Sequence, residues 1–248
     1  MNKKDVQKRV LKNGKPLPLG LFTWDEQTNT FSSNIKGLII DFQGIEHCIL
    51  ITTSECEFIT GPHITFITEA KCKFETGDHC YFKTWSECDF KTGAYCEFQT
   101  GSYCQFRTEH SCVFNTGSDC RFWTEHDCSF KTLWSCSFVT GVQCTFYTKY
   151  YCTFDTKFRC NFVTEFGCHF NTDGLCNFVT EKQCNFETGP HCNFLTSHSC
   201  TFQAKKKGFY GTSTSVIIRQ DVFEIIELEP DNKIRLNDDG IKGYEVIK

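Results

Sequence analysis

The chain has 248 residues and a formal net charge of −4, enough for one or two domains and without the basic excess that draws a protein to nucleic acid or an anionic membrane. No apolar run approaches the ~18 residues of a membrane-spanning helix, and the polar, basic start holds no apolar segment of a secretory signal. With 19 Cys and 26 Phe against a single Met, the composition also excludes an ordinary enzyme core of Leu, Val, Ile and Ala.

In chain order, residues 1–16 carry Lys3, Lys4, Lys8, Arg9, Lys12 and Lys15 and read as a basic flexible arm. Gly20 to Phe31 reads as a hairpin, which places a β cap at residues 17–39. Eight-residue repeats follow. Every cysteine falls at a multiple of eight, from Cys48 to Cys200, and Ile64 takes the one slot in that series without a cysteine. Two residues after the slot stands Phe, from Phe58 to Phe202, and four after it stands Thr, from Thr52 to Thr196, both without interruption. The unit is C-x-F-x-T-x-x-x, often with Gly after the Thr, as in Thr60-Gly61 and Thr116-Gly117.

The i, i+2, i+4 spacing puts Cys, Phe and Thr on one face of a short strand. Three residues remain for a turn, where Gly after Thr suits a left-handed backbone. A chain that repeats strand and turn without helices must coil, so the fold class is all-β, a parallel β-solenoid. Longer echoes set the coil. N-F-V-T-E recurs at Asn161 and Asn177, and T-E-H at Thr108 and Thr124, each pair sixteen residues apart; F-E-T-G-x-H-C recurs at Phe74 and Phe186, seven times sixteen apart. Two strands (16 residues) per coil fit these offsets, and a three-strand coil does not.

Extending the register places Ile40 and Phe42 in the Cys and Phe slots at one end. At the other end it places Gly208 with Tyr210, then Val216 with Ile218. The solenoid then runs over residues 40–220, about eleven coils. Val222 to Leu228 and Lys233 to Leu236 read as strands of a C-terminal β cap or tail, 221–248. Phe faces Phe across the coil, small Cys and Thr fill the narrow margins, and the Thr hydroxyls should find turn amides or the next Thr.

Octads such as Cys112-Val113-Phe114-Asn115-Thr116-Gly117 resemble the C-x-F-x-T-G-x-x octapeptide-repeat β-solenoid proteins of phage and large-virus genomes. The resemblance covers roughly residues 48–203 and implies a solenoid and a viral origin, but no activity. Turns such as Thr132-Leu133 and Thr156-Lys157 depart from it by lacking the Gly.

The chemistry is sparse. Cysteines eight apart in two inward columns, with no C-x-x-C, do not converge on a metal. Stacked in-register thiols also sit too far apart for disulfide geometry. They read as reduced thiols filling a core, which implies a reducing compartment: the intracellular space, the cytoplasm or a virion assembled in the host cytoplasm. His63, His79, His110, His126 and His191 fall in turns and project to solvent without a triad partner. Glu57, Lys73, Asp89, Gln105 and Arg121 alternate in charge up one outward column, as cross-strand pairs on a wet face do. No catalytic, metal or cofactor residue is assigned.

One outward column departs from polarity. Tyr147, Val163, Val179 and Leu195 stack beside Asn161, Asn177 and Asn193, and Trp134, Tyr150 and Phe166 stack in the adjoining turn column. Exposed apolar stripes mark interfaces, although outward aliphatics also favour strands. The expected function is therefore a non-enzymatic structural or interaction protein, a viral (phage) solenoid scaffold whose partner is a second copy or another protein. Nucleic acid, through Lys3, Lys4, Lys8, Arg9, Lys12 and Lys15, is the weaker option, and a membrane is not expected. The alternative is a carbohydrate-binding or carbohydrate-cleaving β-helical protein, against which stand three-residue turns too short to wall a cleft.

Overall fold

A computed structural model of the chain describes residues 1–205, 215–228 and 232–247. The chain is a parallel β-solenoid of about eleven turns, divided into two compact units, Met1–Arg121 and Phe122–Lys248.

In the first unit, one sheet orders Leu38–Phe42, Glu57–Thr60, Lys73–Glu75, Asp89–Thr92 and Gln105–Thr108. The facing sheet orders Ile49–Ile51, Thr65–Ile67, Tyr81–Lys83, Glu97–Gln99 and Val113–Asn115. Neighbours in each sheet are one coil apart and parallel: Phe66 pairs with Phe82, Phe82 with Phe98, and Phe98 with Phe114. The sixteen-residue step is thus the coil. Rings in one column stack 4.8 Å apart and nearly parallel, with 3° between Phe82 and Phe98 and 1° between Phe90 and Phe106. Rings from facing sheets meet edge to face, as Phe82 and Phe90 do at 5.2 Å. Near-parallel rings mean little rotation from coil to coil, so these sheets are flatter than the usual twisted sheet.

Cys and Thr line the margins as expected, and the cysteines are more than filler. Each thiol reaches the carbonyl two residues back, and most also reach a turn carbonyl of the coil below: Cys104 Sγ lies 3.6 Å from Ser102 O and 3.7 Å from Trp85 O. The Thr hydroxyls do not find turn amides. In the first unit most donate to the next residue's carbonyl, as from Thr60 to Gly61 O at 3.3 Å, whereas that of Thr116 is buried without a partner. In the second, Thr180 meets Thr196 at 3.0 Å, whereas those of Thr132, Thr140 and Thr148 are buried without a partner.

The turn works differently from the sequence expectation. The left-handed residue is the one before the Cys slot, from His47 (φ 56°) to Ser199 (φ 56°), and not the Gly after Thr. Only backbone geometry is asked of that position, and none of its occupants is β-branched. The Gly after Thr answers a different demand, close approach of successive coils. A Cβ on Gly117 would lie 2.4 Å from Ser102 Oγ and 2.9 Å from the Gly101 carbonyl carbon.

Both ends correct the extrapolated register. Ile40 pairs with Phe58, eighteen residues on, so Ile40 fills the Phe slot, Leu38 the Cys slot and Phe42 the Thr slot. That step is two residues longer than the sixteen of the regular coils. The expected basic flexible arm is folded: Lys3–Lys8 is a helix capped by Asn2, and Val10–Lys12 pairs antiparallel with Leu38–Phe42. Burial of Val6, Val10 and Leu17 explains why. Thr23–Asp25 and Thr30–Ser32 form the hairpin read from the sequence, and Thr30–Ser32 runs parallel to Ile49–Ile51.

In the second unit, one sheet orders Ser129–Lys131, Thr145–Tyr147, Asn161–Val163, Asn177–Val179, Asn193–Thr196, Ser215–Arg219 and Glu224–Leu228. The other includes Ser137–Thr140, Thr153–Thr156, His169–Asn171, Asn185–Thr188, Thr201–Ala204, Lys233–Leu236 and Tyr244–Val246. Gly208 and Tyr210 lie outside the described residues. The last parallel strand pairs Phe194 with Ile217, so Ile217 and not Ile218 takes the Phe slot, and Ser215 the Cys slot. That step is twenty-three residues, an odd number, and odd steps reverse which residues face inward. Arg219 then lands in a Thr slot, fully buried. Its guanidinium grips Asp221 and the carbonyls of Asn237, Ile241 and Gly243, fastening the C-terminal segment.

Candidate functional site

The outward side chains of each unit form columns, because in-register parallel strands repeat every position one coil away. In the first unit the Glu57, Lys73, Asp89, Gln105 column is in register as read. The column beside it holds a contact between Lys91 Nζ and Glu75 Oε1 at 2.7 Å. Arg9 and Lys12 spend their cationic groups on backbone carbonyls of Gln43 and Lys36, Lys8 pairs with Asp5, and Lys3 sits over the Phe22 ring. Much of the basic charge expected on a free arm is therefore engaged within the fold.

All 19 cysteines are buried and free. Burial pushes the Cys48 thiol above its ordinary range. The hydrogen bond with the Cys104 thiol, joined by burial, pushes Cys88 up to about 11, and Cys128 acts likewise on Cys144, up to about 11. Cys48, Cys88 and Cys144 therefore favour the protonated thiol, the form that does not attack electrophiles. Among the described residues, no group of three or more His, Cys, Asp or Glu could hold a metal ion.

The histidines assemble more than the sequence reading allowed. His47, His63 and His79 occupy consecutive left-handed turn positions, with rings stacked at 4.8 Å and 5.0 Å, and Tyr95 continues the stack at 4.9 Å. Their sixteen-residue spacing was the available signal. His110 contacts Ser111 Oγ and His126 contacts Asp127 Oδ2, each within its own turn.

The second unit brings the candidate interface residues together. Tyr147, Val163, Val179 and Leu195 are consecutive in register on one sheet face. Tyr147 is 51% exposed, Val163 40% and Val179 42%, and Leu195 is half-buried. Beside them, Asn177 Nδ2 donates to Asn161 Oδ1 and Asn193 Nδ2 to Asn177 Oδ1, both at 3.0 Å, a ladder that holds the polar column rigid. Trp134 and Tyr150 stack at 5.8 Å, and Tyr150 and Phe166 at 5.0 Å, with Tyr151 set edge-on to both of the latter.

The sequence reading missed how far this column extends. Leu195 pairs with Ile218, and Ile218 with Ile225 across an antiparallel step. Both are outward, Ile225 at 71% exposure, and Phe223 in the intervening turn is 92% exposed. The column thus has six rows: Tyr147, Val163, Val179, Leu195, Ile218 and Ile225. The break in the eight-residue repeat after Phe202 concealed the last two.

No helix among the described residues is long and apolar enough to cross a membrane. No protein-family model matches the chain, and no curated protein is significantly similar to it. A solved structure of ORF18 from Geobacillus virus E2 is similar at 11% identity, covering 83% of this chain and 58% of that one, with a TM-score of 0.23. The chain thus spans under two thirds of that protein, and at this TM-score the likeness carries no argument about fold or function.

Proposed function

We propose that the chain is a non-enzymatic interaction protein of viral (phage) origin, a stiff solenoid scaffold that associates with copies of itself through an outward face of its second unit. The observation that carries this reading is the exposed aliphatic column from Tyr147 to Ile225, set beside a hydrogen-bonded Asn ladder. An outward column needs no such run of aliphatics for folding, since the inward Cys, Phe and Thr already supply the core. Contiguous exposed apolar surface is what interfaces use. The repeat pattern supports the viral origin, and the buried reduced thiols support work in a reducing, intracellular setting.

The test is the double substitution Val163→Lys and Val179→Lys, read by light scattering. Both residues point outward, so the β-sheet spectrum should be unchanged, and the variant should run as a monomer at concentrations where the parent associates. A parent that stays monomeric at high concentration overturns the self-association reading.

A further inference from the structure

We infer that the two copies meet antiparallel, face to face, with the two-fold axis crossing the face between Val179 and Leu195; this rests on the self-association reading above. The face carries two unlike columns. One is aliphatic: Tyr147, Val163, Val179, Leu195, Ile218 and Ile225. The other is Thr145, Asn161, Asn177, Asn193, Val216 and Glu227, in the same rows.

A homodimer has two simple ways to pair such a face. If the two-fold axis runs along the stacking direction, the columns exchange sides, and every aliphatic residue meets the partner's polar column. Val163 and Val179 would then desolvate Asn161 and Asn177 without offering them a hydrogen bond, which is unfavourable. If the axis lies in the face but across the stack, each column meets its own kind in reversed order. Aliphatic then covers aliphatic in every row. In the other column Asn177 covers Asn193 and Thr145 meets Glu227, which leaves Asn161 against Val216 as the single mismatch, against three Asn set on aliphatics in the first arrangement. The geometry therefore selects the antiparallel arrangement.

Full overlap of the six rows fixes the register. Val179 faces the partner's Leu195, Val163 faces the partner's Ile218, and Tyr147 faces the partner's Ile225. Each contact sets a residue from the early rows against one from the late rows. On the polar side, Asn177 faces the partner's Asn193, and an amide offers both donor and acceptor. Flatness favours contact along the middle rows: the rings beneath them differ by 4° between Phe146 and Phe162, 3° between Phe162 and Phe178, and 10° between Phe178 and Phe194.

Six rows about 4.8 Å apart make a face roughly 25 Å long and about 10 Å wide. That falls short of the ~800 Å² per partner of a standard interface. The flanking aromatics Trp134, Tyr150, Tyr151 and Phe166, and Phe223 beyond them, lie at the edge this column adjoins and widen it. The pairing belongs to the weak, concentration-dependent class, which sets the conditions of the test.

The experiment mixes two full-length variants, Val163→Lys with Val179→Lys, and Leu195→Glu with Ile218→Glu, followed by sedimentation velocity from low to high micromolar. In the antiparallel register each lysine faces a glutamate of the other variant. Within one chain, Val163 and Ile218 lie three rows apart, roughly 14 Å, too far to pair in the same molecule. Each variant alone should be monomeric, and the equimolar mixture should form a 1:1 heterodimer that weakens with salt. A parent that associates, with variants that are monomeric both alone and mixed, overturns the antiparallel register but leaves self-association standing. A parent that is monomeric throughout overturns self-association itself, and variants that still associate alone overturn the choice of face. If circular dichroism shows either double variant misfolded, the single substitutions Val163→Lys and Ile218→Glu carry the same comparison.

Discussion

The ring of Phe162 lies 4.8 Å from that of Phe178, with 3° between their planes. The same ring stacks on Phe146 from the other side and meets Phe154 and Phe170 edge-on at 5.2 Å. Four aromatic neighbours make the centre of the coil a continuous array, in which one ring cannot be lost without stranding the others. Phe162→Ala should therefore cost about 3–5 kcal/mol in chemical denaturation, the range for a buried Phe whose site cannot collapse. Phe202 has Phe186 and Phe194 as its ring neighbours, and its outer side is covered by Ile234 of an antiparallel strand. Phe202→Ala should cost less. Equal and small losses at both positions would contradict the central column.

Two buried thiols, Cys88 and Cys144, lend the chain a base-sensitive stability. Cys88 and Cys144 hold their protons up to about 11 in the fold, against an ordinary value of 9.0. Above pH 9 the unfolded chain releases these protons while the folded chain keeps them, so the unfolded state binds fewer protons and stability falls with rising pH. The contribution is fully present below pH 9 and lost between about 9 and 11. Denaturation midpoints should be flat from pH 7 to 8.5 and drop beyond. A bulky thiol reagent at pH 8 should label almost none of the 19 cysteines until denaturant is added, without prior reduction. Fast labelling of the native protein would contradict the inward columns.

The left-handed turn residue makes a separate claim. Gln143 precedes Cys144 with φ 59°. Gln143→Val puts a β-branched side chain into that conformation and should cost about 1–2 kcal/mol. Gln143→Gly should be neutral or stabilising, because glycine enters that region freely. Matching losses from both substitutions would mean that the side chain, not the backbone, matters there.

Much of this fold was legible because the core is periodic. Cys, Phe and Thr at fixed offsets specify strand, inward face and coil length together, and the echo of Asn161 at Asn177 distinguishes two strands per coil from three. Legibility ended where the period broke. Nothing in the sequence shows that the step from Ile40 to Phe58 is eighteen residues, or that the step from Phe194 to Ile217 is twenty-three. Both depend on loop length and on which hydrophobic residues a partner strand can cover. Gly117 was read as a turn residue because composition alone does not separate a left-handed backbone from close approach of two chains. Of the candidate face, Tyr147 to Leu195 could be read from the repeat. Ile218 and Ile225 could not, since their inclusion depends on that odd step and on an antiparallel hairpin.

The central claim is that the exposed column of the second unit is covered when copies associate. Hydroxyl-radical footprinting of the full chain at low and high concentration reads it residue by residue. Tyr147, within the column, should lose reactivity as concentration rises, whereas Tyr103, 62% exposed in the first unit, should keep its own. Equal reactivity of Tyr147 at both concentrations, in a sample that sediments as an oligomer at the higher one, would contradict the account.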